Sequence, residues 1–557
     1  MKSVTPVIGF KLLSRLLPAV VLLLSACSGD KDGSQMRSEK SASRGRVPAA
    51  SSGNQAAGKK SAENQPGKSV RQLQQAASGG DLDAANKLGE RYLAGKGVKQ
   101  DYRKARQWFE KAAEQRHPWA QYHLGTIYRE GLGVDQDIED AVAWYKLAAA
   151  QGLAAAQRDL GIMYFRGIGV AKDIGEAIRW TRKAADQNDK KALFNLGTAY
   201  YKGIGVKKNL KLAVRLFSVA AGQGYQEARD WLETRLMEAV KSGNSKRLRM
   251  LLQGIQKVGL VDKLDFDGVV FLAVKNGKLE NVRLLGEHGI AVNREHTREK
   301  TMLMHAVARG YYDIAAYLLK KGARIDAQDR YGYSALMYGR DPRVVKLLVD
   351  NKADLNLQDK YQRTALMHAV RKGRLEIVRL LVEGGADIDA QRSSNTPLAF
   401  AVAKKRYKIA LFLIANGANV NATMKPGYQG SLSVLEKAAL SGNVELVKAL
   451  LRKGAKVNHR VLGGSGDWTG YNALLFAAYR GHLDIVRLLV DNGAKLNAVN
   501  GSGQTALMIA ASQGHTNVID YLLKRKADTD VRDKKGKTAM DYSSSNEIKK
   551  MLLGTMR

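Results

Sequence analysis

From about residue 70 onward, apolar and polar positions fall into short helical blocks that recur at fixed steps. "LGERYLAGKGV" at Leu88 returns as "LGTIYREGLGV" at Leu124, "LGIMYFRGIGV" at Leu160 and "LGTAYYKGIGV" at Leu196, each 36 residues on. Ala-Ala pairs at 76/77, 112/113, 148/149, 184/185 and 220/221 keep the same step. Leu88 and Tyr92 stand four apart and share the buried face of a first helix. Gly95 and Gly97 fall where that helix stops and the chain turns back, a place suited to a residue without a β-carbon. A second helix follows with Ala105, Trp108, Phe109 and Ala112, rings and alanines alternating so that neighbours interlock. A period of this length predicts a solenoid of helical pairs.

A second period opens at Thr234. "TRLMEA" at 234, "GVVFLA" at 268, "TMLMHA" at 301, "SALMYG" at 334, "TALMHA" at 364, "TPLAFA" at 396, "SVLEKA" at 433, "NALLFA" at 472, "TALMIA" at 505 and "TAMDYS" at 538 give ten starts, roughly 33 residues apart. The first array resembles the Sel-one-like repeat, a relative of the tetratricopeptide repeat, with four copies over about 78–224. The second resembles ankyrin repeats, as in "GRLEIVRLLVEGGADID" from Gly373 and "GHLDIVRLLVDNGAKLN" from Gly481. That resemblance implies a turn and two antiparallel helices per unit, with Thr or Ser capping the first helix and a Gly-Ala step ending the second. The expected fold is all-α: two fused α-solenoids, Sel-one-like repeats over 70–232, then ankyrin repeats with short β-turn fingers over 233–557. Ala228 and Leu232 still satisfy the first pattern while Thr234 opens the second, so residues 226–242 are expected to serve both arrays as one long helix or two in close contact.

Departures from the period mark where a partner would bind. Between Thr396 and Ser433, and between Ser433 and Asn472, the spacing stretches to 37 and 39, which predicts protruding fingers at "ATMKPGYQGS" and "HRVLGGSGDWTGY". Between Ser334 and Thr364 it shrinks to 30, which predicts a shortened helical hairpin at "YGRDPRVVKLL". The finger segments carry Tyr331, Tyr333, Tyr361, Tyr428, Trp468 and Tyr471 beside Arg330, Lys360, Arg363 and Lys425. Trp, Tyr and Arg dominate binding hot spots, so these rings and Arg363 are the candidate partner-binding residues.

The amino terminus changes the picture. Lys2, Lys11 and Arg15 precede the apolar run "LLPAVVLLL", which closes on Ser25, Ala26 and Cys27, the only cysteine of the chain. This is a secretory signal layout over 1–26, with an apolar core of roughly nine residues against the roughly 20 of a spanning helix. "LSAC" resembles the lipobox of bacterial lipoproteins, which implies cleavage before Cys27, acylation of it, and, with Ser28 next, an outer-membrane anchor facing the periplasm. Residues 27–69, poor in large apolar side chains, read as a tether; about 42 flexible residues reach roughly 35 Å.

The chain holds 90 Lys and Arg against 53 Asp and Glu, a net +37, and residues 234–557 account for 53 and 30 of these. Such a field attracts anions. No nucleic-acid-binding motif accompanies it, and the expected compartment favours an acidic protein, anionic phospholipid or lipopolysaccharide. His305 and His368 share one repeat position, and His482 and His515 another, which marks them as scaffold. No HExxH, no G-x-S-x-G and no nucleotide loop occurs, so no enzyme, cofactor or metal is expected. The reading is a non-catalytic envelope lipoprotein that captures a partner protein. Resemblance adds one alternative, an immunity protein that neutralises a type VI secretion phospholipase effector; binding of anionic lipid or glycan is another.

Overall fold

The computed structural model describes residues 69–293, 300–391, 395–424, 431–461 and 468–554. Among them are 28 α-helices and two strands of two residues each. The first array begins with Val70–Ser78 and continues as four pairs: Leu82–Ala94 with Tyr102–Ala113, Pro118–Glu130 with Ile138–Ala150, Ala154–Arg166 with Ile174–Asp186, and Lys190–Lys202 with Leu210–Gly222. Each first helix ends on a left-handed glycine, Gly95, Gly131, Gly167 or Gly203, with φ between 66° and 79°. Each second helix starts on an Asp or Asn cap, Asp101, Asp137, Asp173 or Asn209, whose side chain accepts a backbone N–H two turns short of the Ala-Ala pair. Leu88, Leu124, Leu160 and Leu196 are buried as the period requires, and so are Phe109, Tyr145 and Phe217.

The glycine of each "LG" pair is tied to close packing inside the pair. A β-carbon on Gly89 would come within 2.6 Å of the Phe109 ring, and one on Gly125 within 2.9 Å of Tyr145.

At the join the chain forms one helix, Gln226–Lys241, the 16-residue element that buries Ala228 and Leu232 with the first period and Leu236, Ala239 and Val240 with the second. Thr234 therefore lies inside a helix and caps nothing. Trp231 lies over Phe217 at 4.1 Å, and Gly254 of the next helix, Ser245–Lys257, sits so near Val214 that a β-carbon would come within 2.5 Å of it. A single hydrophobic cluster runs from Ala184 to Leu552, across the join, so the last unit of the first array shares one core with the second array, while Leu73–Ile127 and Ala141–Met163 form clusters of their own.

In the second array the expected caps form at Thr301, Thr364, Thr396, Ser433, Asn472 and Thr505, each accepting the N–H three residues on. Two starts differ. Ser334 makes no such bond, and its helix, Ala335–Tyr338, has 4 residues where neighbouring units have 8. Thr538 opens a turn closed by Asp541, and the terminal helix waits until Asn546–Leu553. In the 422–433 insertion, Thr423–Met424 pairs antiparallel with Leu432–Ser433, so the finger starts as a hairpin.

Candidate functional site

Four of the turns between units are each built around one side chain, Asp329, Asp359, Asn500 or Asp533. Asp329 Oδ1 accepts the amides of Tyr331 at 2.8 Å and Tyr333 at 3.0 Å, while the Tyr338 hydroxyl donates to Oδ2 at 2.6 Å. Asp359 repeats this with the amides of Tyr361 at 2.7 Å and Arg363 at 2.9 Å; its Oδ2 meets Arg363 Nε at 3.0 Å and His368 Nε2 at 2.9 Å. Asp533 does the same with Lys535, Lys537 and the Tyr542 hydroxyl. Burial works against the Asp359 charge, but the amides, His368 and Arg363 outweigh it and hold the carboxyl below its usual range. Burial also lowers His368, against the pull of Asp359. Burial, then the bond to Asp329, pushes the Tyr338 hydroxyl up.

These turns decide which rings face outward. Tyr331 and Tyr361, in neighbouring units, are 45% and 53% exposed, and the Lys360 amide donates to the Tyr331 carbonyl at 3.0 Å, fastening one turn to the next. The Arg330 guanidinium lies 4.9 Å from the Tyr331 ring. Tyr333 turns inward, edge-on to Tyr338 at 5.4 Å and His368 at 5.0 Å, and is half-buried.

Three expectations need correction. Arg363 is not a free anchor: its guanidinium is held inside the turn by Asp359, with 11% of the side chain exposed. Tyr471 is buried at 7%, and Trp468 packs on it at 5.0 Å, on Phe476 at 5.0 Å and on Tyr479 at 5.2 Å. The return leg of that insertion folds back because Phe476 and Tyr479 of the following helix offer it an apolar seat, and the Gly501 amide binds the Thr469 carbonyl at 2.7 Å to fix it there. Tyr428 and Cys27 lie outside the described residues.

The paired histidines are scaffold in geometry. His482 and His515 sit over Gly442 and Gly481, where a β-carbon would come within 2.7 Å of either ring, and His515 Nε2 lies 3.1 Å from the Tyr479 carbonyl. His459 differs: its Nδ1 lies 2.9 Å from Oε1 of buried Glu436, whose other oxygen accepts the Ser433 amide in a capping box. That bond raises the His459 pKa, against burial. A cavity of about 220 Å³ beside it is lined by Val420, Asn421, Ser433, Leu435, Lys456 and His459.

Against known families, "Ankyrin repeats (3 copies)" matches residues 236–329, 333–424, 427–500 and 474–555, more than half of the chain. The chain belongs to the ankyrin-repeat proteins. "Sel1 repeat" matches 82–117, 120–153, 154–189 and 190–225, so the ankyrin units follow a Sel1 array. Among curated proteins, the chain is 26% identical over 260 residues to a Caenorhabditis elegans transient receptor potential cation channel subfamily A member 1 homolog, covering 45% of this chain and 18% of that one. It is 34% identical over 210 residues to the B-cell lymphoma 3 protein homolog of Mus musculus, covering 36% and 38%. It is 32% identical over 235 residues to ankyrin repeat and KH domain-containing protein mask-1 of C. elegans, covering 40% and 8%. The chain thus spans well under half the length of these relatives. Ankyrin and Sel1 repeats form extended surfaces that bind proteins, and an architecture of repeats alone is typical of non-catalytic binding proteins.

The turn chemistry of the ankyrin units escaped sequence reasoning although a signal for it stands in the chain. Asp329, Asp359 and Asp533 each have Tyr or His nine residues on, ready to donate to the second oxygen. Asn500, whose side chain needs no such donor, has Ile509 there.

Proposed function

We propose that this ankyrin-repeat protein is a non-catalytic scaffold that captures an acidic protein partner at the bacterial envelope, held to the outer membrane by lipid on Cys27. The binding half rests on Tyr331 and Tyr361, two exposed rings locked into neighbouring turns on a strongly basic array. Rigid aromatic side chains lose little freedom on contact, which makes them effective anchors. The envelope half rests on the signal layout that ends in "LSAC" and on the polar 27–69 stretch behind it. Replacing Cys27 by Ser should move the protein from the membrane fraction to the soluble one; retention in the membrane after a salt wash refutes the anchor. Cross-linking in the native envelope should recover a partner whose yield falls at least fivefold in Tyr331→Ala/Tyr361→Ala, and an unchanged yield refutes the role of the turns. The narrower alternative, immunity to a phospholipase effector, requires that the purified chain inhibit such an enzyme.

A further inference from the structure

The first helices of four successive ankyrin units, Met302–Arg309, Ala335–Tyr338, Ala365–Lys372 and Pro397–Ala403, contain no Asp or Glu. Their C-terminal ends carry Arg309, Arg340, Arg371, Lys372, Lys404 and Lys405. None of these six forms an ion pair among the described residues, and the buried Nε of Arg371 has no hydrogen-bond partner. The next unit breaks the row: its helix, Val434–Ser441, ends in Ser441. Like charge is crowded here. Burial, and then the charges of Arg309 and Arg340, hold the Lys300 ammonium below its usual range against the pull of Asp329, which Tyr331, Tyr333 and Tyr338 already occupy.

A cation at a helix C-terminus is favoured anywhere, so presence alone says little. Lys405 says more. At the turn after the first helix, Gly310, Gly373, Gly442, Gly481 and Gly514 take left-handed backbone with φ of 71° to 76°. Lys405 occupies the same place with φ 56°, a conformation that a side chain bearing a β-carbon resists. The fold accepts strain here, where glycine serves these five sister units and, as Gly243 and Gly277, two more, and the result is one more exposed cation at the end of the row.

We infer that this row is a docking track for an extended acidic segment of the partner protein, with carboxylates at every third residue. The inference rests on the reading of an acidic protein partner. Packed helices stand roughly 8–10 Å apart, and a polyproline II chain rises about 3.1 Å per residue with three residues per turn, so every third side chain returns to the same face about 9 Å on and three residues match one unit. Four units span about 30 Å, the length of a ten-residue polyproline II segment. At physiological salt the screening length is about 8 Å, so cations one unit apart give little diffuse attraction and contact at matched spacing decides affinity. A single file of charges suits a chain; a bilayer would engage a whole face.

The full chain, at physiological salt, is titrated with two fluorescent ten-residue peptides of equal composition. One carries four Asp separated by Ser-Gly pairs, the other four Asp in succession. The spaced peptide should bind at least fivefold tighter. Arg340→Glu/Arg371→Glu should weaken it at least tenfold, while Arg480→Glu, at the position of Arg309 and Lys372 in a distant unit, should change it less than twofold. Lys405→Gly should melt at a higher temperature than the wild type yet bind more weakly, an outcome that a purely structural lysine would not give. Equal affinity for both peptides, equal loss in Arg480→Glu, or displacement of the peptide by phosphatidylglycerol vesicles at matched charge overturns the track. If the track variants still capture an acidic partner with unchanged yield, the track is wrong and the scaffold reading stands; if the wild type captures no acidic partner, that reading falls.

Discussion

Asp359→Asn isolates the energetics of a turn. Wild-type Asp359 has no exposed side-chain surface and accepts four hydrogen bonds, two from the amides of Tyr361 and Arg363 and two through Oδ2. Asn keeps the first two, as Asn500 shows with the amides of Ser502 at 3.0 Å and Gln504 at 2.9 Å. Its amide group then faces Arg363 and His368. The imidazole can change tautomer and accept; the guanidinium has no acceptor to offer. One bond to a charged group is lost outright, about 1.5–3 kcal/mol. Because long repeat arrays need not unfold in one step, the readout is hydrogen exchange at the Tyr361 and Arg363 amides. At 1.4 kcal/mol per tenfold, these should exchange about 10- to 150-fold faster. Exchange within a factor of about two of the wild type, a difference near 0.4 kcal/mol, refutes the claim that the buried carboxylate holds the turn.

Gly89→Ala should destabilise the first array by about 1–3 kcal/mol, because the new β-carbon would lie 2.6 Å from Phe109, although alanine is the better helix former. Gly222→Ala, with nothing within 4 Å, should stabilise it by about 0.4–1 kcal/mol; chemical denaturation measures both. His459 and His368 should give opposite pH slopes. The folded pKa of His459 is raised, so its contribution is complete below the ordinary value of 6.5 and is lost as pH rises through the raised value. His368 is lowered, so below 6.5 the unfolded chain takes the proton first and stability falls with acid. Melting of His459→Gln and His368→Gln against the wild type across this range should show one deficit shrinking and the other growing as pH rises. Leu232→Ala, in a fully buried site of the shared helix, should cost about 2–5 kcal/mol and speed amide exchange in both flanking helices, Leu210–Gly222 and Ser245–Lys257. Exchange raised on one side only would mean that the arrays open independently.

Periodicity carried the fold because each unit repeats one solution to one packing problem. Leu88 and its three counterparts recur at the same step and are buried at every occurrence, and the deficit between Ser334 and Thr364 became the four-residue helix Ala335–Tyr338. The candidate site was less legible, because exposure depends on how a turn closes. Tyr331 and Tyr333 stand two residues apart in one turn, yet Asp329 orients the first outward and the second onto Tyr338. Trp468 and Tyr471 look like anchors in a long insertion, but Phe476 and Tyr479, on the following helix, Ala473–Arg480, supply the seat that draws them in. Period marks Thr234 as a cap; the demand to bury Ala228 and Leu236 on one rod keeps it helical instead.

Because that rod belongs to both arrays, neither can turn without breaking the contacts of Trp231 with Phe217 and of Gly254 with Val214. A partner seated on the ankyrin units is therefore held at a fixed distance and angle from the first array, where Trp119 is 42% exposed at the start of Pro118–Glu130. Were ligands to engage both surfaces of one rigid body, the second would bind more tightly only where its own geometry matched the first ligand's. A flexible linker between the arrays would accept any pairing. By running one helix through 226–241, the chain instead fixes how the last unit of the first array meets the first unit of the second.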